Sequence, residues 1–136
     1  MEGLAATALS RGGAVETARS LWQRQYQEST RTDLRENAKN HLDSIQVDEH
    51  VWALEFFAQK YFEERGARPA RLEDLVRAAL LKYIPSDPSG TPYQYDPATG
   101  KVRLSPASRV RYLAMPYDYR SAYLEKLERL YHSGVQ

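Results

Sequence analysis

A mainly α fold (α+β), with about six helices and one small β-hairpin near residues 93–104, is what the sequence predicts. Three observations predict it. Apolar residues recur at helical spacing over most of the chain. One dense cluster of turn residues, Ile84 to Pro92, interrupts that pattern, and two short alternating runs around a glycine follow it. The balance of 42% hydrophobic and 27% charged residues over 136 positions is that of a folded chain able to bury a core.

The elements follow in order. An apolar run, Leu4 to Leu9, stops at Arg11-Gly12-Gly13, a helix-end and turn signal. A second helix runs from about Ala14 to Tyr26, with Val15, Ala18, Leu21 and Trp22 on its apolar positions. Ser29 to Thr32 breaks it. Thr32 or Asp33 caps a third helix through Leu34, Ala38, His41, Leu42 and Ile45. Asp48 is the cap of a fourth, with Val47 as its staple. That helix has the widest apolar arc, Val51 to Phe62, and ends at Gly66. Pro69 opens a fifth, carrying Leu72, Leu75, Val76, Ala79 and Leu80.

Pro85, Pro88 and Pro92 then shut off helix propagation, and Asp87 and Gly90 supply turn chemistry. Tyr93-Gln94-Tyr95 and Lys101 to Leu104 are the two strands, joined by Asp96-Pro97-Ala98-Thr99-Gly100. Both tyrosines face one side, toward the Trp52–Phe62 helix. A hairpin this small needs such support. After a basic linker, Ser105 to Tyr117, a last amphipathic helix runs from about Asp118 to His132. Two units are expected: a helical hairpin with a capping helix over 1–45, and a helical domain with the β-hairpin and final helix over 46–136.

Two resemblances attach to these residues. Gly13, Ala18 and Trp22 resemble the second half of a tetratricopeptide repeat, where a small residue lets two helices approach and a large one fills the groove beside it. Ala5, Ala6 and Leu9 then belong on the partner helix. Thr30 stands where that family has proline. The resemblance implies the last repeat of an array, residues 2–45, with the third helix as its cap. Further on, Tyr61-Phe62, Gly66, Pro69, the Leu72 to Val76 run and Pro85-Ser86-Asp87-Pro88-Ser89-Gly90-Thr91-Pro92-Tyr93-Gln94-Tyr95 resemble the soluble part of type II secretion pseudopilins over residues 52–104. It lacks that family's long apolar N-terminal helix. Some of those proteins bind calcium. Asp87 and Asp96, each beside a proline, fit turn capping better than a cage of six to eight oxygens.

Cysteine is absent, which removes disulfides, thiolate metal sites and cysteine nucleophiles. His41, His50 and His132 are scattered. Glu63-Glu64 and Glu73-Asp74 point about 100° apart on a helix and form no acid/base pair. No catalytic residue, cofactor or metal is therefore expected. The net charge of +1 gives no global pull toward nucleic acid. Charge concentrates instead in 101–120, where basic side chains interleave with tyrosines, both typical interface anchors.

The reading is a non-catalytic protein-interaction or scaffold module of a larger bacterial assembly. It binds another protein through Arg103, Arg109, Arg111, Tyr112, Tyr117 and Tyr119. Alternatives are an accessory subunit of a secretion or pilus-type system and a weak nucleic-acid binder through residues 101–120, the latter disfavoured. No run is long enough to span a membrane. The N-terminus lacks a basic signal-peptide region. The chain is expected to be the periplasmic part of a larger envelope protein or otherwise cytoplasmic. Nothing in the residues names the partner or the oligomeric state.

Overall fold

The computed structural model describes residues 13–114 and 116–133. The expected Leu4–Leu9 helix lies outside them, as do Ala5 and Ala6. Among the described residues there are four helices and one two-stranded antiparallel sheet: α1 (Ala14–Glu28), α2 (Thr32–Arg65), α3 (Glu73–Arg77), β1 (Gln94–Asp96), β2 (Lys101–Arg103) and α4 (Arg120–Ser133). The class is mainly α, as expected, but the helix count is four and not about six.

The largest correction is α2. The expected third and fourth helices are one helix of 34 residues. The stretch Asp43 to His50 contains neither glycine nor proline, so nothing ends propagation once the helix has formed. Asp48 does not cap; its carboxylate accepts from the Tyr112 hydroxyl at 2.7 Å. The unit boundary expected after residue 45 thus falls inside a helix. The helix stops at Gly66, as expected: it takes φ +77° and its N–H reaches back to the Phe62 carbonyl at 2.8 Å.

One helix serves two cores because its apolar positions change face. Ile45 and Val47 are two residues apart and so point about 200° apart. Ile45 packs with Val15 and Tyr119, and with the half-buried Trp22 and Trp52. Val47, Leu54 and Phe57 pack with Leu75, Tyr93 and Leu127 in the larger cluster. The first core is made with α1, which runs back along α2. Gln25 donates to the Leu34 carbonyl at 2.8 Å, Trp22 stacks on His41 with centroids 4.0 Å apart, and Arg19 reaches Glu49 at 2.7 Å. The second core takes in α3, the hairpin and α4. Lys60 bonds Glu128 of α4 at 2.9 Å.

The fifth expected helix is only the five-residue α3. The Asp74 carboxylate collects the N–H groups of Ala70 and Arg71, so those residues form its approach and not its first turn. It closes early because Ala79 sits at φ +62°. The Ala79 N–H then bonds Val76 O and the Leu80 N–H bonds Leu75 O, both at 3.0 Å, the paired bonds of a Schellman ending. An alanine there stores strain, since the left-handed region costs an L-residue about 1–2 kcal/mol. Ala79→Gly is expected to stabilise the fold by about 1 kcal/mol, read as a raised urea midpoint at unchanged slope.

In the hairpin Gln94 faces Arg103, Tyr95 faces Val102 and Asp96 faces Lys101. Gly100 takes φ +78° and donates to the Asp96 carbonyl at 2.7 Å. The Asp96 carboxylate accepts from Ala98 N and the Thr99 hydroxyl, so it caps its own turn. The hairpin leans on the helices as its size requires. Tyr93 is buried, Tyr95 donates to the Pro69 carbonyl at 2.8 Å, and the Val102 N–H donates to the Glu55 carboxylate of α2 at 2.8 Å. The final helix begins at Arg120, two positions after the expected Asp118.

Candidate interaction face

The basic linker is a strap bound across α2. Three contacts hold it, and a fourth holds Tyr119 just beyond it. Arg109 N–H donates to Ser89 Oγ at 3.2 Å, and Leu113 N–H donates to Ser44 Oγ at 2.8 Å. Tyr112 donates to Asp48 at 2.7 Å, and Tyr119 to Glu49 at 3.2 Å. Ser44 is fully buried and donates onward to the Asn40 carbonyl, so the helix supplies the partner of the Leu113 N–H.

Asp48, Glu49 and His50 are consecutive on α2 and each holds a tyrosine from a different part of the chain. Asp48 holds Tyr112 of the strap, Glu49 holds Tyr119 at the foot of α4, and His50 Nδ1 lies 2.8 Å from the Tyr93 hydroxyl at the mouth of the hairpin. Successive residues on a helix turn by about 100°, so three adjacent polar side chains reach three directions. Burial drives the electrostatics. It raises the Asp48 carboxyl above its usual range, with the Tyr112 bond opposing it and the Glu49 charge adding to it. It lowers the His50 imidazole against the pull of Glu49 and Asp87. It pushes the Tyr112 hydroxyl up to about 12, helped by Asp48. Tyr119 and Tyr93 are pushed up as well, burial first and the nearby carboxylates second. Tyr112 and Tyr119 therefore stay protonated, as donors to carboxylates must.

This arrangement redistributes the residues expected to meet a partner. Tyr119 is 4% exposed and belongs to the core with Val15 and Ile45; its ring also lies edge-on to Trp52 at 5.0 Å. It is a packing residue and presents nothing outward. Tyr117 is half-buried against the same cluster. Tyr112 keeps 44% exposure, but its hydroxyl is committed to Asp48. The three arginines remain. Arg103 is exposed and bonds Gln94 across the hairpin at 3.1 Å, while Arg109 and Arg111 are exposed. None of the three makes a salt bridge among the described residues. Lys101 and Arg103, two apart on β2, both lie on its solvent face, with Val102 between them turned inward.

The Asp87 turn abuts the strap. Asp87 is 4% exposed, and its Oδ1 accepts from Ser89 N, Ser89 Oγ and Thr91 N within 3.0 Å. Burial pushes this carboxyl up, but the hydroxyls of Ser108 and Ser89 and the N–H groups of Thr91 and Ser89 outweigh it and hold it below the usual carboxylate range. This is the turn-capping role anticipated for it. Asp96 caps a separate turn. No group of three or more His, Asp or Glu side chains suited to a metal occurs among the described residues.

A pocket lies beside the hairpin turn. It is a cavity of about 290 Å³ between α2, the start of α4 and the Thr99–Lys101 turn. Trp52, Phe56 and Leu124 supply apolar wall, and Arg68, Lys101 and Arg120 supply charge. The positions come from four separate segments, so no local spacing marks them.

No protein-family model matches the chain, and no curated protein or solved structure matches it. Among the described residues no helix is long and apolar enough to cross a membrane.

Proposed function

We propose that the chain is a non-catalytic interaction module that docks an acidic surface of another protein. One observation carries this reading: the strap is fixed to the fold at Ser44, Asp48, Glu49 and Ser89, yet its cations point outward without acidic partners among the described residues. A positive surface mounted on a rigid frame loses little conformational entropy on docking and steers an oppositely charged partner. The nucleic-acid alternative loses support from the same geometry. Tyr119 is inside, and Tyr117 is half-buried, so few rings are left on which bases could stack.

The test is capture from lysate of the native host with the wild-type chain and with Arg103→Glu/Arg109→Glu/Arg111→Glu as baits. All three positions are exposed, so the triple variant should keep the wild-type melting temperature within a few degrees. It should lose a partner that the wild type holds in a salt-sensitive manner. Equal recovery by both baits overturns the reading.

A more specific version is an accessory role in a secretion or pilus-type system. Its support is the segment Pro85 to Tyr95, whose buried Asp87 turn leads directly into a hairpin seated on a long helix. Absence of the captured partner from such a machine would remove this version and leave the broader one.

A further inference from the structure

We infer that the cavity between α2, α4 and the Thr99–Lys101 turn receives an acidic segment of the partner, an apolar side chain flanked by carboxylates. This deepens the interaction-module reading and rests on it. The argument is one of charge and shape. Glu55 is the carboxylate in the lining, and it is already spent: it accepts the Val102 N–H at 2.8 Å and faces Arg120 at 3.8 Å. Against it stand Arg68, Lys101 and Arg120, so the rim carries an excess of positive charge.

Those cations differ in freedom. Arg68 is partly engaged, its guanidinium 4.9 Å from the Phe62 ring and 3.4 Å from the Ala98 carbonyl. Its stem also lies across Gly100, where a side chain would meet Arg68 Nε at 3.3 Å. Glycine at 100 thus lets this arginine lie over the turn. Arg120 shares Glu55. Lys101 makes no salt bridge among the described residues and is exposed, which leaves it the cation best placed to meet an incoming carboxylate.

Below the rim, Trp52, Phe56 and Leu124 are half-buried, with faces still open to the cavity. At about 290 Å³ the space is at the low end for a ligand site, suited to one inserted side chain rather than a cofactor. Nucleic acid fits poorly, since a backbone-tracking groove must be long and this cavity holds only about 290 Å³. An acidic peptide matches both features.

The test uses Trp22→Phe, which leaves Trp52 as the single tryptophan of a chain with two. A short end-blocked peptide alternating leucine and glutamate is titrated while Trp52 emission and the amide resonances of Gln59 and Gly100 are followed. Saturable change in both is expected, with none from the same peptide carrying lysine for glutamate. Lys101→Glu should weaken the binding about tenfold, roughly one charge-assisted contact. No response at Gln59 and Gly100 overturns the inference, and so does an equal response to inorganic phosphate alone. The two readings fail separately. A partner captured through Arg103, Arg109 and Arg111 but indifferent to Lys101→Glu keeps the module and overturns the groove.

Discussion

Ile45→Ala is expected to lower the stability of the whole chain by about 3 kcal/mol, and to do so in a single transition. Ile45 is fully buried between α1 and Tyr119, so truncation leaves a cavity as well as lost apolar burial. The single transition follows from α2. The core around Ile45 and the core around Leu54 share one uninterrupted helix, and Tyr119 ties the start of α4 to the first core while Leu127 of the same helix sits in the second. Neither core can melt without exposing a face of α2. Urea unfolding followed by far-ultraviolet circular dichroism and by tryptophan emission should give coincident curves in wild type and variant. Separate midpoints, with only the α1 signal lost early in Ile45→Ala, would restore a division near residue 45.

What could be read from the residues was local turn chemistry. Gly66, Gly100 and Asp87 mark their positions by backbone freedom or by a side chain that bonds its own neighbours, and each acts where expected. Asp48 misled for a related reason. Aspartate before an apolar run is a helix start when its carboxylate turns to the backbone, but here Tyr112, 64 residues away in sequence, takes that carboxylate. A cap and a tertiary clamp look alike in one dimension. The same distance hid the roles of Glu49 and His50. The available signal was a polar triplet set between Val47 and Val51 on an otherwise apolar stretch, which asks for partners that only the folded chain supplies. Ala79 hid the short α3 because alanine is ordinarily the best helix former, yet here it takes the left-handed conformation next to Leu80, which is buried with Leu75 in the larger core. The segment 101–120 stands out in composition. Tyr112 and Tyr119 hold the segment to α2, while Arg103, Arg109 and Arg111 are exposed.

Glu49→Ala carries that division to a measurable end. Glu49 Oε2 accepts from Arg19 at 2.7 Å and from Tyr119 at 3.2 Å. Its removal leaves a buried hydroxyl unpaired and strips Arg19 to its exposed partner Glu16. Breaking such a partly buried pair costs about 3 kcal/mol. Tyr119→Phe removes the hydroxyl but keeps the ring against Val15 and Ile45 and leaves the Arg19–Glu49 pair in place, so it should cost only about 1 kcal/mol. The double variant should fall short of the sum, since the hydroxyl that Glu49→Ala orphans is then already gone. The strap gives a second readout. With the Tyr119–Glu49 bond lost in either variant, the segment before it should open more often, and trypsin should cut after Arg109 and Arg111 faster in both than in the wild type at matched stability. Cleavage at the wild-type rate in both would mean that Ser44, Asp48 and Ser89 hold the strap without help. In that case the outward arginines owe their placement to the Arg109, Tyr112 and Leu113 contacts.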